Sequence, residues 1–264
     1  MTIQHPNDWE NPRVFGINKE PDAATLMPYG TFEAALAGDR MASDCCRLLN
    51  GTWRFAHFPN PAAVTEGIEA VDFDDSGWDA IPVPSNWQML GDVLHGRPRY
   101  DLPRYLNTDY PFNIDRLPGV PEDDNPTGIY RTTFTVPAAW AGRRVFITFE
   151  GVDSAFYLWV NGRRVGYSQD SRGPAVFDLT DYLVPDENVL TARVFRWSDG
   201  SYLECQDYWK ISGIYRDVYL WAAPTLHVRD LFVRTGLDDD YRDATLQVSA
   251  PPPTPVQKGL EKQG

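Results

Sequence analysis

The chain has 264 residues, 42% of them hydrophobic and 13% aromatic, enough to build the core of one large domain, or of one domain and a fragment. Its net charge of -13 opposes binding to nucleic acid, where counterion release needs clustered Lys and Arg, and opposes docking on an anionic membrane. No apolar stretch approaches a membrane span, and Met1–Pro6 lacks the basic and apolar regions of a secretory signal, so a cytoplasmic protein is expected.

Residues 1–50 carry few periodic apolar runs and one short predicted helix over Phe32–Ala37, and so read as an extended arm that needs a surface to lie against. Cys45 and Cys46 are adjacent and Cys205 stands alone. An odd count makes a poor disulfide framework, and the absence of CxxC spacing argues against structural zinc. From Leu49 the texture changes to short alternating runs. Trp53 and Phe55, then Val145, Ile147 and Phe149, then Phe156, Leu158 and Val160 predict half-buried strands. Asp72–Asp75, Glu122–Asp124 and Asp238–Asp240 sit beside turn residues and read as solvated turns rather than catalytic acids.

Residues 85–126 are too rich in Pro, Asn, Asp and Arg to be all strand. Their aromatics, Trp87, Tyr100, Tyr105, Tyr110 and Phe112, argue for an ordered, functional loop. Strands are predicted at Ile129–Val136, Asn188–Trp197 and Asp217–Trp221. Asn161-Gly162 predicts a tight type I′ hairpin, since both residues tolerate positive φ. Many short strands broken by turn signals predict an all-β sandwich, here a jelly roll.

Phe195–Trp209 places five aromatic residues, Phe195, Trp197, Tyr202, Tyr208 and Trp209, among Asp199, Asp207, Gln206 and a Gly-led turn. Aromatic faces edged by acceptors suit a sugar, which offers flat C–H faces rimmed by hydroxyls. Trp197, Tyr202, Tyr208 and Trp209 fit either stacking on sugar rings or packing at the sandwich rim. After Pro224, His227–Val233 and Ala244–Val248 predict two more strands, too few to bury a face alone, and the Pro-rich residues 251–264 predict a disordered tail.

Seven segments in fixed order resemble the β-galactosidases of glycoside hydrolase family 2. They are Asp8-Trp9-Glu10-Asn11-Pro12, Val83–Met89, Asn125-Pro126-Thr127-Gly128-Ile129-Tyr130, Gly151–Phe156, Gly166–Ser171, Phe195–Trp209 and Lys210–Val218. The resemblance runs from about residue 7 to about residue 248. It implies an arm over 1–48, a galactose-binding-like jelly roll over 49–224, and over 225–264 the start of an immunoglobulin-like domain followed by the tail. Because the family's catalytic glutamates lie in a downstream barrel, no nucleophile or general acid is assigned here. The chain alone is expected to be inactive.

The resemblance also implies site residues. Asp207 matches an aspartate that contacts sugar hydroxyls and helps hold sodium. Asp115 falls at a sugar-contacting position where an Asn is expected, with Asn113 the competitor if the register differs by two. An ionised Asp only accepts, so its hydroxyl partner would have to donate. Asp8, Asn11, the backbone of Val14, Gln169 and Asp199 match positions around a structural magnesium ion, an all-oxygen set suited to that cation. Turn-forming roles for Asp8 and Asp199 account for the same residues without a metal. The partners implied are a β-galactoside such as lactose and further copies in a homo-oligomer. A stand-alone carbohydrate-binding module and a complementing fragment are the alternatives.

Overall fold

A computed structural model describes residues 7–107 and 109–250; the tail and the residues preceding position 7 lie outside them. Eleven strands form the body of the chain: β1 Gly16–Ile17, β2 Cys46–Leu48, β3 Gly51–Phe58, β4 Asp79–Val83, β5 Thr127–Thr135, β6 Arg144–Phe149, β7 Ala155–Val160, β8 Arg163–Ser168, β9 Ala175–Asp178, β10 Glu187–Phe195 and β11 Val218–Ala223. One sheet runs β1-β8-β7-β10-β5-β3-β4 and the other β9-β6-β11-β2. Each paired neighbour is antiparallel. This is the expected jelly-roll-like sandwich. Its core is the inward set of both sheets, with Trp53, Phe55, Tyr130 and Phe156, Leu158, Val160 from one and Val145, Ile147, Phe149 from the other.

Between β7 and β8, Asn161 (φ 53°) and Gly162 (φ 73°) make the expected turn, because two successive positive φ angles match the twist of a two-residue hairpin. The Asn161 side chain then ties the turn down. Its Nδ2 donates to the Tyr182 carbonyl (2.9 Å) and to Asn188 Oδ1 (2.8 Å), and its Oδ1 accepts from Val189 N (2.9 Å).

The alternating runs predict strands with one wet face, yet β6 and β7 are buried on nearly every residue. For β7 the arm supplies the reason. Trp9, Val14 and Ile17 pack on the outward Ala155, Tyr157, Tyr167 and Phe195, with Trp9 stacked on Phe195 at 4.4 Å between ring centroids. β1 adds itself to β8 as an edge strand. A Cβ at Gly166 would overlap the Ile17 carbonyl oxygen, so glycine there permits the close approach. Further along, the arm holds the expected helix Phe32–Ala37, N-capped by Thr31 and closed by Gly38 in the left-handed region.

Asp75 departs from the solvated-turn reading: it meets the buried Arg131 at 3.1 Å and helps fix residues 68–71, whose carbonyls accept from the same guanidinium. Beyond the sandwich, Phe232–Leu237 pairs with Ala244–Ser249 in an exposed hairpin. Its first strand begins five residues later than the run at His227 predicts, because Arg229 and Asp230 are engaged by the arm. All three cysteines are free. No helix among the described residues is long and apolar enough to cross a membrane.

Candidate functional site

The long loop and the segment after β10 meet in a two-stranded ribbon, Arg104–Leu106 against Tyr208–Lys210. Tyr105 lies opposite Trp209 and Leu106 opposite Tyr208. Side chains alternate along a strand, so Tyr105 and Trp209 share one face while Arg104, Leu106, Tyr208 and Lys210 share the other. Exposure follows that alternation: Tyr105 is 50% and Trp209 55% exposed, whereas Lys210 is buried. Carried one residue beyond the ladder, the same register sets Asn107 across from Asp207 on the outward face, and both are exposed. The Tyr105 hydroxyl donates to Asp207 Oδ1. The outward face therefore carries two aromatic rings followed by a carboxylate and an amide.

Arg196, at the end of β10 and fully buried, anchors both strands. Its guanidinium pairs with Asp101, and donates to the Leu102 carbonyl (3.1 Å) and the Lys210 carbonyl (3.4 Å). Gln88 closes the network: its Nε2 donates to Asp101 Oδ2 (3.0 Å) and its Oε1 accepts from Ser212 N (2.8 Å). A buried arginine is tolerated where its charge is paired and most of its donors are used, and here Nε alone of the guanidinium nitrogens lacks a partner. That requirement fixes the ribbon to the sandwich.

Asp115 stands elsewhere, on the exposed turn Ile114–Arg116. That loop docks on the helix Ser201–Glu204 through Phe112, whose ring meets Tyr202 at 4.9 Å and Trp197 at 5.3 Å. The Tyr202 hydroxyl donates to the Gly119 carbonyl at 2.6 Å. Asn113 caps the turn, its Oδ1 accepting from Asp115 N at 2.9 Å. Trp197 and Tyr202 are buried in this contact, so of the four aromatics weighed for stacking they serve packing. The sequence does not single out Asn107, Asp101 or Arg196, and it shows Tyr105 only as one of the aromatics that order the loop. The available signal was Tyr105-Leu106-Asn107 alternating in step with Trp209-Tyr208-Asp207, legible once the two segments are paired.

Behind the ribbon a crevice of about 20 Å³ is lined by Asp153, Glu204, Tyr208 and Lys210 among others. Burial pushes the Asp153 carboxyl up to about 7, against the pull of Arg172, whose Nη2 lies 3.1 Å away. Arg172 also covers the Tyr208 ring at 4.9 Å. A much larger cleft, about 580 Å³, lies instead on the outer face of the smaller sheet, between arm residues 20–28 and residues 224–231. Its carboxylates are paired with cations, Glu20 with Arg229 (3.1 Å), Glu150 with Arg40 and Asp22 with Lys19 (3.5 Å).

The proposed magnesium set is only partly assembled. Asp199 N donates to the Trp9 carbonyl (2.7 Å), Gln169 N to the Phe15 carbonyl (3.1 Å), and Gln169 Nε2 to Asp199 Oδ1 (2.5 Å). Asp199 and Gln169 are buried. Asn11 and Val14 lie in the same arm segment, where Val14 N donates to the Asn11 carbonyl at 2.8 Å. Asp8 turns to the Tyr157 hydroxyl (2.7 Å) and Arg164 (3.0 Å). Among the described residues no group of three or more His, Cys, Asp or Glu could hold a metal; the set has two carboxylates, and its other donors are amide and backbone oxygens. That chemistry fits a hard divalent cation.

Residues 46–224 match the profile of glycosyl hydrolases family 2, sugar binding domain. The chain belongs to that family. It is 45% identical over 247 residues to a beta-galactosidase of Priestia megaterium and 50% identical over 244 residues to one of Vibrio cholerae, alignments that take in 92% and 91% of the chain. The chain spans about a fifth of those relatives, 23% and 22% of their lengths. Among solved structures, a beta-glucuronidase from an uncultured Clostridium superposes with a TM-score of 0.60 at 21% identity, over 87% of this chain and 36% of that one. A beta-glycosidase from Bacteroides vulgatus gives 0.56 at 26% identity, over 79% and 24%.

Proposed function

We propose that this chain forms one wall of the galactoside pocket of a β-galactosidase, an enzyme that hydrolyses terminal β-D-galactosides such as lactose, and that the bond-breaking carboxyls belong to a part of the enzyme beyond these 264 residues. The observation that carries this reading is Asp207, inside the matched domain, exposed on the outer face of the ribbon and oriented by the Tyr105 hydroxyl. A carboxylate held there by a neutral donor keeps its charge available for sugar hydroxyls. The relatives at 45% and 50% identity are beta-galactosidases, which favours galactosides over the glucuronides of the more distant structural neighbours.

Asn107 is the better second contact than Asp115. An amide both donates and accepts, and the register sets it beside Asp207. Asp207 fits as one ligand of a sodium ion rather than a complete shell. Asp8, Asn11, the Val14 carbonyl, Gln169 and Asp199 would hold magnesium, whose charge would offset two carboxylates and tie the arm to the sandwich. The exposed hairpin over Phe232–Leu237 and Ala244–Ser249 would open an immunoglobulin-like domain, and a cytoplasmic homo-oligomer would be the assembled form.

Titration of the chain with methyl β-D-galactopyranoside, followed by NMR, tests the reading. Saturable millimolar binding that Asp207→Ala weakens at least about fivefold, the loss of a charge-assisted hydrogen bond, is expected, with no turnover of a chromogenic galactoside. Hydrolysis by the purified chain, or binding indifferent to Asp207, would overturn it.

A further inference from the structure

We infer that Trp209 is the stacking floor of this sugar site and Tyr105 its side wall, an inference that rests on the galactoside reading above. Three observations carry it. Both rings are about half exposed, although a ribbon anchored by a buried arginine could have turned them inward, as it does Tyr208 and Lys210. Their planes are tilted by 58° with centroids 5.6 Å apart, so a single pyranose cannot lie flat on both. The Tyr105 hydroxyl is held by Asp207, which fixes that ring beside the carboxylate as a wall, while Trp209, the larger and slightly more exposed ring, offers the broader face for a sugar.

The polar pair follows directly. Asp207 and Asn107 stand two residues further along the same outward face, an advance of about 6.6 Å, the scale of one sugar ring. A ring resting on Trp209 thus presents its hydroxyl edge to a carboxylate acceptor and an amide. The chemistry selects a hexopyranoside with an axial hydroxyl. That hydroxyl clears the opposite ring face of polar groups and leaves a continuous C–H patch, whereas an all-equatorial epimer lacks this asymmetry. Aromatic packing of this kind contributes about 1 kcal/mol, or about fivefold in affinity.

The test uses indole N–H resonances of the ¹⁵N-labelled chain, with the Trp209 signal identified by its loss in Trp209→Phe. Methyl β-D-galactopyranoside should shift that signal saturably, and methyl β-D-glucopyranoside should shift it less at equal concentration. Trp209→Ala should raise Kd about fivefold, while Trp209→Phe, which keeps a ring face, should restore most of the affinity. Trp209 is exposed, so neither change should disturb folding, and the unchanged shifts of the remaining indoles verify that. Galactoside binding that Asp207→Ala weakens but Trp209→Ala does not would overturn the stacking role and leave the galactoside reading standing. Absence of binding to the unaltered chain would overturn both.

Discussion

Asp153 shows how a single largely enclosed carboxyl near the site shapes the response to pH. Its folded-state pKa is pushed up to about 7 by burial, above the roughly 3.9 of an unfolded Asp. Between those values the folded chain holds a proton that the unfolded chain has released, so stability falls as pH rises through the window and levels off above it. Asp153→Asn should flatten that fall in urea melts taken between about pH 4 and pH 8; an unchanged slope would assign it to other groups. His57 acts in the opposite sense, because burial lowers its pKa and stability is lost as pH falls through the usual range of an unfolded histidine. At the site itself, Asn107→Ala should weaken galactoside binding several-fold and Asp115→Ala should leave it within about twofold, since only the former removes a donor beside Asp207. The sequence made Asp207 legible through its motif. It did not make Asn107 legible, because its position depends on a pairing across a hundred residues.

The same division appears between elements. The β7–β8 hairpin is readable from Asn161-Gly162 alone, since the turn chemistry is local. Asn161→Ala should cost about 2 kcal/mol in chemical denaturation, because it removes three hydrogen bonds and leaves the Val189 N–H without its acceptor. The ribbon is the contrary case. Neither Arg104–Leu106 nor Tyr208–Lys210 has a strand-like period of its own, and what makes them strands is the buried Arg196 bonded to the Leu102 carbonyl just ahead of one and to the Lys210 carbonyl at the end of the other. Arg196→Ala should cost about 3 kcal/mol, since it leaves the largely enclosed Asp101 without its cation. In conditions where that variant stays folded, amide exchange at Tyr105 and Trp209 should quicken well before exchange in β5 or β10 does. Equal rates across all four would show the network to be global rather than specific to the ribbon.

For the whole molecule the decisive contact is between the arm and the larger sheet. Composition predicts an arm that lies on something, but the alternating strands advertise wet outer faces, so the sequence hides that β7 is covered on both sides. The covering layer is Trp9, Val14 and Ile17 over Tyr157, Tyr167 and Phe195, and its tightest point is Gly166, where any side chain would meet the Ile17 carbonyl. Gly166→Ala should therefore lift β1 from β8, and its Cβ would also press on the core ring of Phe177. The expected result is protease cleavage within residues 7–18, with a loss of about 1–3 kcal/mol, the range for overpacking. If magnesium joins Asp8 and Asn11 to Gln169 and Asp199, adding the ion should slow that cleavage in the unaltered chain and raise its melting temperature, and Asp199→Asn should abolish both effects. An arm equally protected with and without the ion would leave its attachment to apolar packing and the β1–β8 pairing alone.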